Sequence, residues 1–185
     1  MSQPAAALFR DSQATQWARR AGEGLTVTWP IGLSAQGTKQ LVDLIAQTPG
    51  TIGYAELNFA KDANLSVASI QNRAGAYIEP SVDGTSAALD AFSDAIAKDP
   101  RSPIVDAPAT AKDAYPLSGI TFFIIPKDGT DQLTRQTVRD FAQFAVSVQG
   151  QADADGLYYA KLPKLLQDGD QKLLSQMTLN GQPIQ

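Results

Sequence analysis

The 185-residue sequence contains neither cysteine nor histidine, and each absence excludes a class of chemistry. Without cysteine there is no disulfide framework and no thiolate nucleophile. Without histidine there is no histidine-based catalytic triad, no histidine-ligated zinc and no imidazole acid–base step. Carboxylates and carbonyls alone suit calcium or magnesium, but Asp153, Asp155, Asp168 and Asp170 lack the spacing of a calcium-binding loop and are interpreted as solvated charges. The sequence therefore predicts no metal, no cofactor and, since no nucleophile, base and orienting group stand together, no enzyme.

Clustered positive charge and long apolar runs are also missing. Lys and Arg number 15 against 19 Asp and Glu, the net charge is −4, and Arg19-Arg20 is the densest basic spot. Nucleic acid is thereby excluded as a partner, because phosphate backbones are bound by clustered basic side chains. The longest apolar stretch, residues 120–125, has the length of a buried strand rather than of a membrane span. No charged segment followed by an apolar one is found at the start, so no signal peptide and no membrane insertion are predicted.

The hydrophobic pattern that is present alternates between helical and strand periods and predicts an α/β fold. Helices are predicted over residues 5–21, 38–47, 82–97, 133–148 and 162–177. Strands are predicted over residues 25–29, 51–59, 67–70 and 77–80, with residues 117–126 as the strongest, an apolar run expected to be buried on both faces. Residues 99–116, with four prolines, are predicted to cross the surface, residues 150–156 to form a polar break, and Asn180-Gly181 to form a turn.

Four blocks along the chain carry a family resemblance. They are residues 26–33 (TVTWPIGL), 50–56 (GTIGYAE), 115–125 (YPLSGITFFII) and 156–163 (GLYYAKLP). In this order they resemble the periplasmic phosphate-binding proteins of ABC transporters, the PstS type. The resemblance covers nearly the whole chain as one region, 1–185.

The resemblance implies a type II periplasmic-binding-protein fold, in which two α/β lobes, each with a mixed sheet flanked by helices, hold an anion in the cleft between them. Residues 1–185 would form the remainder of the second lobe and the C-terminal part of the first. It implies a solute-binding chain that captures inorganic phosphate for an ABC permease in the periplasm. If Met1 is the genuine start, the absence of a signal peptide implies the cytoplasm instead.

The resemblance also implies that most phosphate ligands are missing. In the family, an Arg followed by a Ser-Gly-Thr loop at a helix N-terminus supplies major phosphate contacts, and that helix corresponds to the one predicted over residues 5–21. An ungapped register places Ser2 near the end of this loop, and the Arg has no counterpart. An incomplete fold of this kind is expected to need a complementing chain, a homodimer or local repacking.

A second small-residue loop, residues 32–38, offers the other candidate ligands. Ser34, Gly37 and Thr38 lie where a predicted helix begins, and unpaired backbone N–H groups at such a place favour an anion. The alternative is a capped helix in which Gly37 serves backbone geometry, and the absence of a P-loop lysine favours it. Two functions stay open: a phosphate-binding-type solute-binding chain, or an interaction module on the same scaffold with phosphate binding lost.

Overall fold

The computed structural model describes residue 29 and residues 32–184. The helix predicted over residues 5–21, most of the strand predicted over 25–29, and the candidate ligand Ser2 lie outside the described residues. No helix within residues 32–184 is both long and apolar enough to cross a bilayer.

The described residues form six helices and two small antiparallel sheets. The helices are α1 (Gly37–Gln47), α2 (Leu57–Asp62), α3 (Val82–Lys98), α4 (Gln132–Ala145), α5 (Val148–Gly156) and α6 (Lys164–Leu174). The strands are β1 (Ile70–Gln71) paired with β2 (Tyr77–Ile78), and β3 (Thr178–Leu179) paired with β4 (Gln182–Pro183). Helices and small strands are thus mixed along the chain, as expected for an incomplete α/β fold.

Helix α3 is the centre of the packed core. Ser81 caps its start by accepting a hydrogen bond from the backbone N–H of Gly84 at 3.0 Å, and Lys98 in the last turn complements the helix dipole. Leu89 and Ile96 on its inner face pack with Ile104, and a second cluster joins α3 to the following connection. Residues 99–116 thus contribute buried residues to the core while crossing the surface, because their apolar side chains fold back onto α3.

The β1–β2 hairpin is fixed to the rest of the fold by Asn72, which is buried. Its Oδ1 accepts from the backbone N–H groups of Ala74 and Ala76, each at 3.1 Å. Its Nδ2 donates to the carbonyls of Lys112 and Ala114, at 2.7 and 3.2 Å. All four hydrogen-bonding positions of the amide are therefore used, which is the condition for burying such a group at little cost.

Four of the predicted helices, over residues 38–47, 82–97, 133–148 and 162–177, are confirmed as α1, α3, α4 and α6, although α4 ends at Ala145. Asn180 and Gly181, both with positive φ, form the predicted turn between β3 and β4. The polar break predicted over residues 150–156 is wrong, because Ser147 caps a helix there: its Oγ accepts from the N–H of Gly150 at 3.1 Å.

The two longest predicted strands are wrong. Residues 51–56 run without a turn or bend but join no sheet, and helix α2 occupies the end of the predicted span. Residues 118–126 are likewise unbent and unpaired, and the apolar side chains expected to be buried are largely exposed. The physical reason is shared: a strand exists only with a hydrogen-bonded neighbour, and the described residues supply none to either segment.

Candidate functional site

The N-terminus of α1 brings together three of the four predicted ligand residues, Ser34, Gly37 and Thr38. Gly37 is the first helical residue and has φ +81°, in the left-handed region that favours glycine, which confirms its geometric role. Gln36 is the N-cap, but its side chain caps nothing. Instead its backbone N–H donates to Oε1 of Gln40 at 2.6 Å. A side chain within α1 therefore holds the residue that precedes the helix.

The polar groups at this helix end are available to a ligand. Among the described residues neither the exposed Ser34 hydroxyl nor the half-buried Thr38 hydroxyl has a hydrogen-bond partner, so neither caps the helix. The backbone N–H groups of the first turn have no helical carbonyl one turn earlier to which they could donate, so they point outward. No acidic residue lies in this turn, and the charge of Lys39 is balanced by Asp43, whose carboxylate lies 3.2 Å from the Lys39 ammonium group. The hydroxyls, the backbone amides and the helix dipole favour an anion at this point.

A buried guanidinium that the sequence did not reveal lies at the start of α4. Arg135 is 6% exposed. Its guanidinium donates to the carbonyls of Pro126 and Lys127 at 2.7 Å each and to that of Thr178 at 3.2 Å. Among the described residues no carboxylate forms an ion pair with it. It therefore joins the turn after the long apolar segment to the C-terminal hairpin, using carbonyl acceptors alone.

The same guanidinium lines an open groove of about 340 Å³. Ile124, Ile125 and Val138 supply apolar walls, and the carboxylates of Asp128 and Asp131 also line the groove. Hydrogen bonds from the Thr178 hydroxyl at 2.6 Å and the Gly181 N–H at 3.1 Å lower the pKa of Asp128, with a smaller contribution from the charge of Arg135. Hydrogen bonds from Thr134 lower the pKa of Asp131. Both carboxylates are therefore charged at neutral pH, which makes this groove a poor place for phosphate.

The apolar segment 119–125 lies between helices. Ile120 packs against the α3 core that contains Leu89 and Ile104. On the opposite side, the ring of Phe123 meets the ring of Phe141 on α4 edge-to-face, with centroids 5.5 Å apart. Phe122 is nevertheless 48% and Ile124 94% exposed. Within the described part of the chain no backbone group of segment 119–125 is hydrogen-bonded, so its lateral edges are open there. Helices contact the segment at Ile120 and Phe123.

Residues 51–56 form a second extended segment that packs against one helix and exposes apolar side chains. Gly53 packs under α1, where an added Cβ would lie 2.6 Å from Cδ1 of Ile45. Ile52 is 97% exposed, and the ring of Tyr54 lies 6.3 Å from that of Trp29. Both family-like apolar blocks therefore lie beside helices without a paired strand among the residues that the structure describes.

The four aspartates considered for calcium do not converge. Asp153 accepts from Gln149, Asp155 pairs with Lys161 at 3.2 Å, and Asp168 pairs with Lys164. Across residues 32–184 no three acidic side chains come close enough to hold a metal ion. Local partners thus account for three of these charges, while burial raises the pKa of the fourth, Asp170 on α6.

Comparison with known proteins identifies the family to which this chain belongs. A family model described as a PBP superfamily domain matches residues 3–149, and the chain belongs to that family. Its helices and small strands fit an incomplete α/β fold of this periplasmic-binding-protein type.

Similar curated proteins carry one name, phosphate-binding protein PstS. The protein of Xylella fastidiosa strain Temecula1 is 32% identical over 150 residues, which are 81% of this chain and 40% of the relative. That of Pasteurella multocida is 27% identical over 153 residues, 82% of this chain and 43% of the relative. That of Methanocaldococcus jannaschii is 30% identical over 121 residues, which are 60% of this chain and 31% of the relative. The resemblance to PstS-type proteins is confirmed, and the chain spans about two-fifths of the length of the first two.

Proposed function

We propose that this chain is a solute-binding chain of the phosphate-binding type, which serves an ABC importer in the periplasm and catalyses no reaction. Similarity to relatives named for phosphate binding supports the ligand class. The observation that carries the proposal within the chain is the N-terminus of α1, where free hydroxyls and outward N–H groups form an anion-favouring end. Ser34, Gly37 and Thr38 are the proposed contacts, with Ser2 as a further one outside the described residues.

The proposed site is reduced compared with a cleft closed from two lobes. Tight anion capture uses many charge-assisted hydrogen bonds from both sides of a closing cleft. A single helix end supplies only a few such hydrogen bonds, so we expect this chain alone to bind phosphate weakly. The affinity should rise strongly when a complementing chain supplies the opposite wall of the cleft.

Calorimetric titration of the 185-residue chain with phosphate, with sulfate as the control anion, tests the proposal. Saturable heat with phosphate and less with sulfate is expected, and the double variant Ser34→Ala/Thr38→Ala should abolish most of it. Ser175→Ala is the matched control, because its hydroxyl donates to the Lys172 carbonyl at the other end of a helix and should leave the heat unchanged. No phosphate heat from a cooperatively folded chain would contradict phosphate capture by this chain alone.

A second function is favoured by a different observation, the open edges of segment 119–125. In this alternative the scaffold serves as an interaction or assembly module, and phosphate binding is lost. The two functions predict opposite outcomes: the first requires phosphate heat that depends on Ser34 and Thr38, while the second requires a protein partner and no phosphate heat.

A further inference from the structure

The C-terminal hairpin turns at an Asn-Gly pair, which occurs only once in the sequence. Strands β3 and β4 pair Leu179 with Gln182. Asn180 and Gly181 between them form the turn, with φ angles of +51° and +75°, and positive values at both central residues define a type I′ turn. Both residues are exposed, so the turn is open to water.

An asparagine followed by glycine is able to lose its side-chain amide without an enzyme. The backbone nitrogen of the next residue attacks Cγ and closes a cyclic succinimide, the bond from Cγ to the amide nitrogen breaks, and the N–H proton leaves with the expelled ammonia. Water then opens the ring at either carbonyl. Glycine favours ring closure because it has no side chain to obstruct the attack and its backbone rotates freely. Asn180 has this neighbour, whereas Asn64, which is also exposed and has a φ of +50°, is followed by Leu65.

The contacts of the turn oppose this reaction in the folded chain. In a type I′ turn ψ of the first central residue is about +30°, which directs the next backbone nitrogen away from Cγ. The main chain must therefore rotate before the ring closes. The N–H of Gly181 donates to Oδ1 of Asp128 at 3.1 Å. The N–H of Asn180 donates to the carbonyl of Gly129 at 2.9 Å. Both hydrogen bonds resist the rotation, so opening of the turn limits the reaction.

We propose that Asn180 is a site of slow, non-enzymatic deamidation and that Asp128 controls its rate by holding the turn closed. Going beyond solute binding, this assigns a covalent modification to the hairpin, and it does not depend on phosphate capture. Ring opening at one carbonyl gives an isoaspartyl linkage, whose main chain is one methylene longer and no longer fits a two-residue turn. Opening at the other carbonyl gives an aspartyl side chain, which adds a negative charge beside the N–H group that Asp128 binds. Either product weakens the docking of the hairpin.

Peptide mass spectrometry of the full chain after incubation in mildly alkaline buffer tests the site. Asn180 should be converted progressively to aspartyl and isoaspartyl products. Asn64 should keep its amide over the same period, because the leucine after it obstructs ring closure, and Asn180→Gln should give neither product. Intact amides at both positions, or equal rates of loss from both, would overturn the proposal.

Removal of Asp128 tests the control of the rate. In Asp128→Ala, the amide of Asn180 should be lost about tenfold faster, because the closed turn loses a hydrogen bond to a charged acceptor. Asp153→Ala is the matched control: it changes the net charge equally, and its carboxylate accepts from Gln149 on α5, so the rate should stay the same. A slower reaction in Asp128→Ala would mean that the carboxylate promotes the attack. That result, or an unchanged rate, would overturn the role of Asp128.

The unmodified chain in urea gives the rate without a turn, and this comparison holds even where Asp128→Ala does not fold. Deamidation of Asn180 should be faster in urea than in the folded chain, and equal rates would contradict protection by the turn. The modified chain, separated by its added negative charge, tests the undocking. The N–H of Thr178 donates to the Lys127 carbonyl at 2.9 Å, so its hydrogen exchange should accelerate after modification. Unchanged exchange would show that the hairpin stays docked.

Discussion

Arg135 occupies the space in which a side chain at Gly129 would lie. A Cβ added at Gly129 would be 2.5 Å from Cδ and 3.2 Å from Nε of Arg135. Gly129 is therefore required by close packing, since the buried guanidinium must pass over this residue to reach the carbonyls of Pro126, Lys127 and Thr178.

Gly129→Ala should accordingly lower the free energy of unfolding by about 1–3 kcal/mol, the usual cost of overpacking. Arg135→Ala should cost about 2–4 kcal/mol, because three carbonyls lose a charged donor. In the double variant the added methyl meets no guanidinium, so the two costs should not add. Urea unfolding of the four proteins measures this coupling, and simple additivity would show that the two residues are independent.

Two glycines in helices should respond to alanine with opposite signs. A Cβ at Gly150 would overlap the carbonyl oxygen of Phe144 and lie 3.1 Å from Cα of Ala145, so Gly150→Ala should destabilise by about 1–3 kcal/mol. At Gly169 within α6 a Cβ would meet nothing within 4 Å, so Gly169→Ala should stabilise by about 0.5–1 kcal/mol. Thermal unfolding midpoints check the pair. Equal shifts would mean that α5 does not approach α4 as closely as described.

Asp128 should make the C-terminal hairpin sensitive to acid. Hydrogen bonds from Thr178 and Gly181 lower its folded-state pKa below the ordinary value of 3.8. A lowered pKa stabilises the folded state above 3.8, and this contribution is lost as the pH falls through the folded-state pKa. Asp128→Asn should therefore lower the unfolding midpoint at neutral pH but have a shrinking effect below pH 3.8. Thr178→Val should weaken that pH dependence. If the unfolding midpoints of Asp128→Asn and of the unmodified chain differed by the same amount at every pH, the lowered pKa of Asp128 would be contradicted.

Local signals in the sequence were sufficient for four of the six described helices, while α2 and α5 were missed. Leu41, Leu44 and Ile45 predicted α1, and Leu89, Phe92 and Ile96 predicted α3, because helical hydrogen bonds are satisfied within the segment. The strand predicted over residues 117–126 is not formed, and a strand cannot be predicted from local signals in this way. Its apolar run indicates a tendency to be buried, but pairing depends on a neighbour elsewhere, and none of the described residues fills that place.

The candidate site was predictable only in part. The loop before α1 was identified from Ser34, Gly37 and Thr38, and Gly37 indeed has the left-handed conformation. Arg135 was missed, because a basic residue near a helix start is usually solvated. The available signal was its spacing: Arg135 shares one helical stripe with Val138 and Ala142, both buried or half-buried.

The most direct test of the central claim is an amide-resolved NMR titration of the isotope-labelled chain with phosphate and, separately, with sulfate. The account predicts saturable shifts of the backbone N–H signals of Gly37, Thr38 and Lys39 with phosphate, smaller shifts with sulfate, and none at the start of α4. Unchanged signals at α1, or shifts centred on another part of the chain, would contradict the proposal that this helix end contributes to phosphate binding.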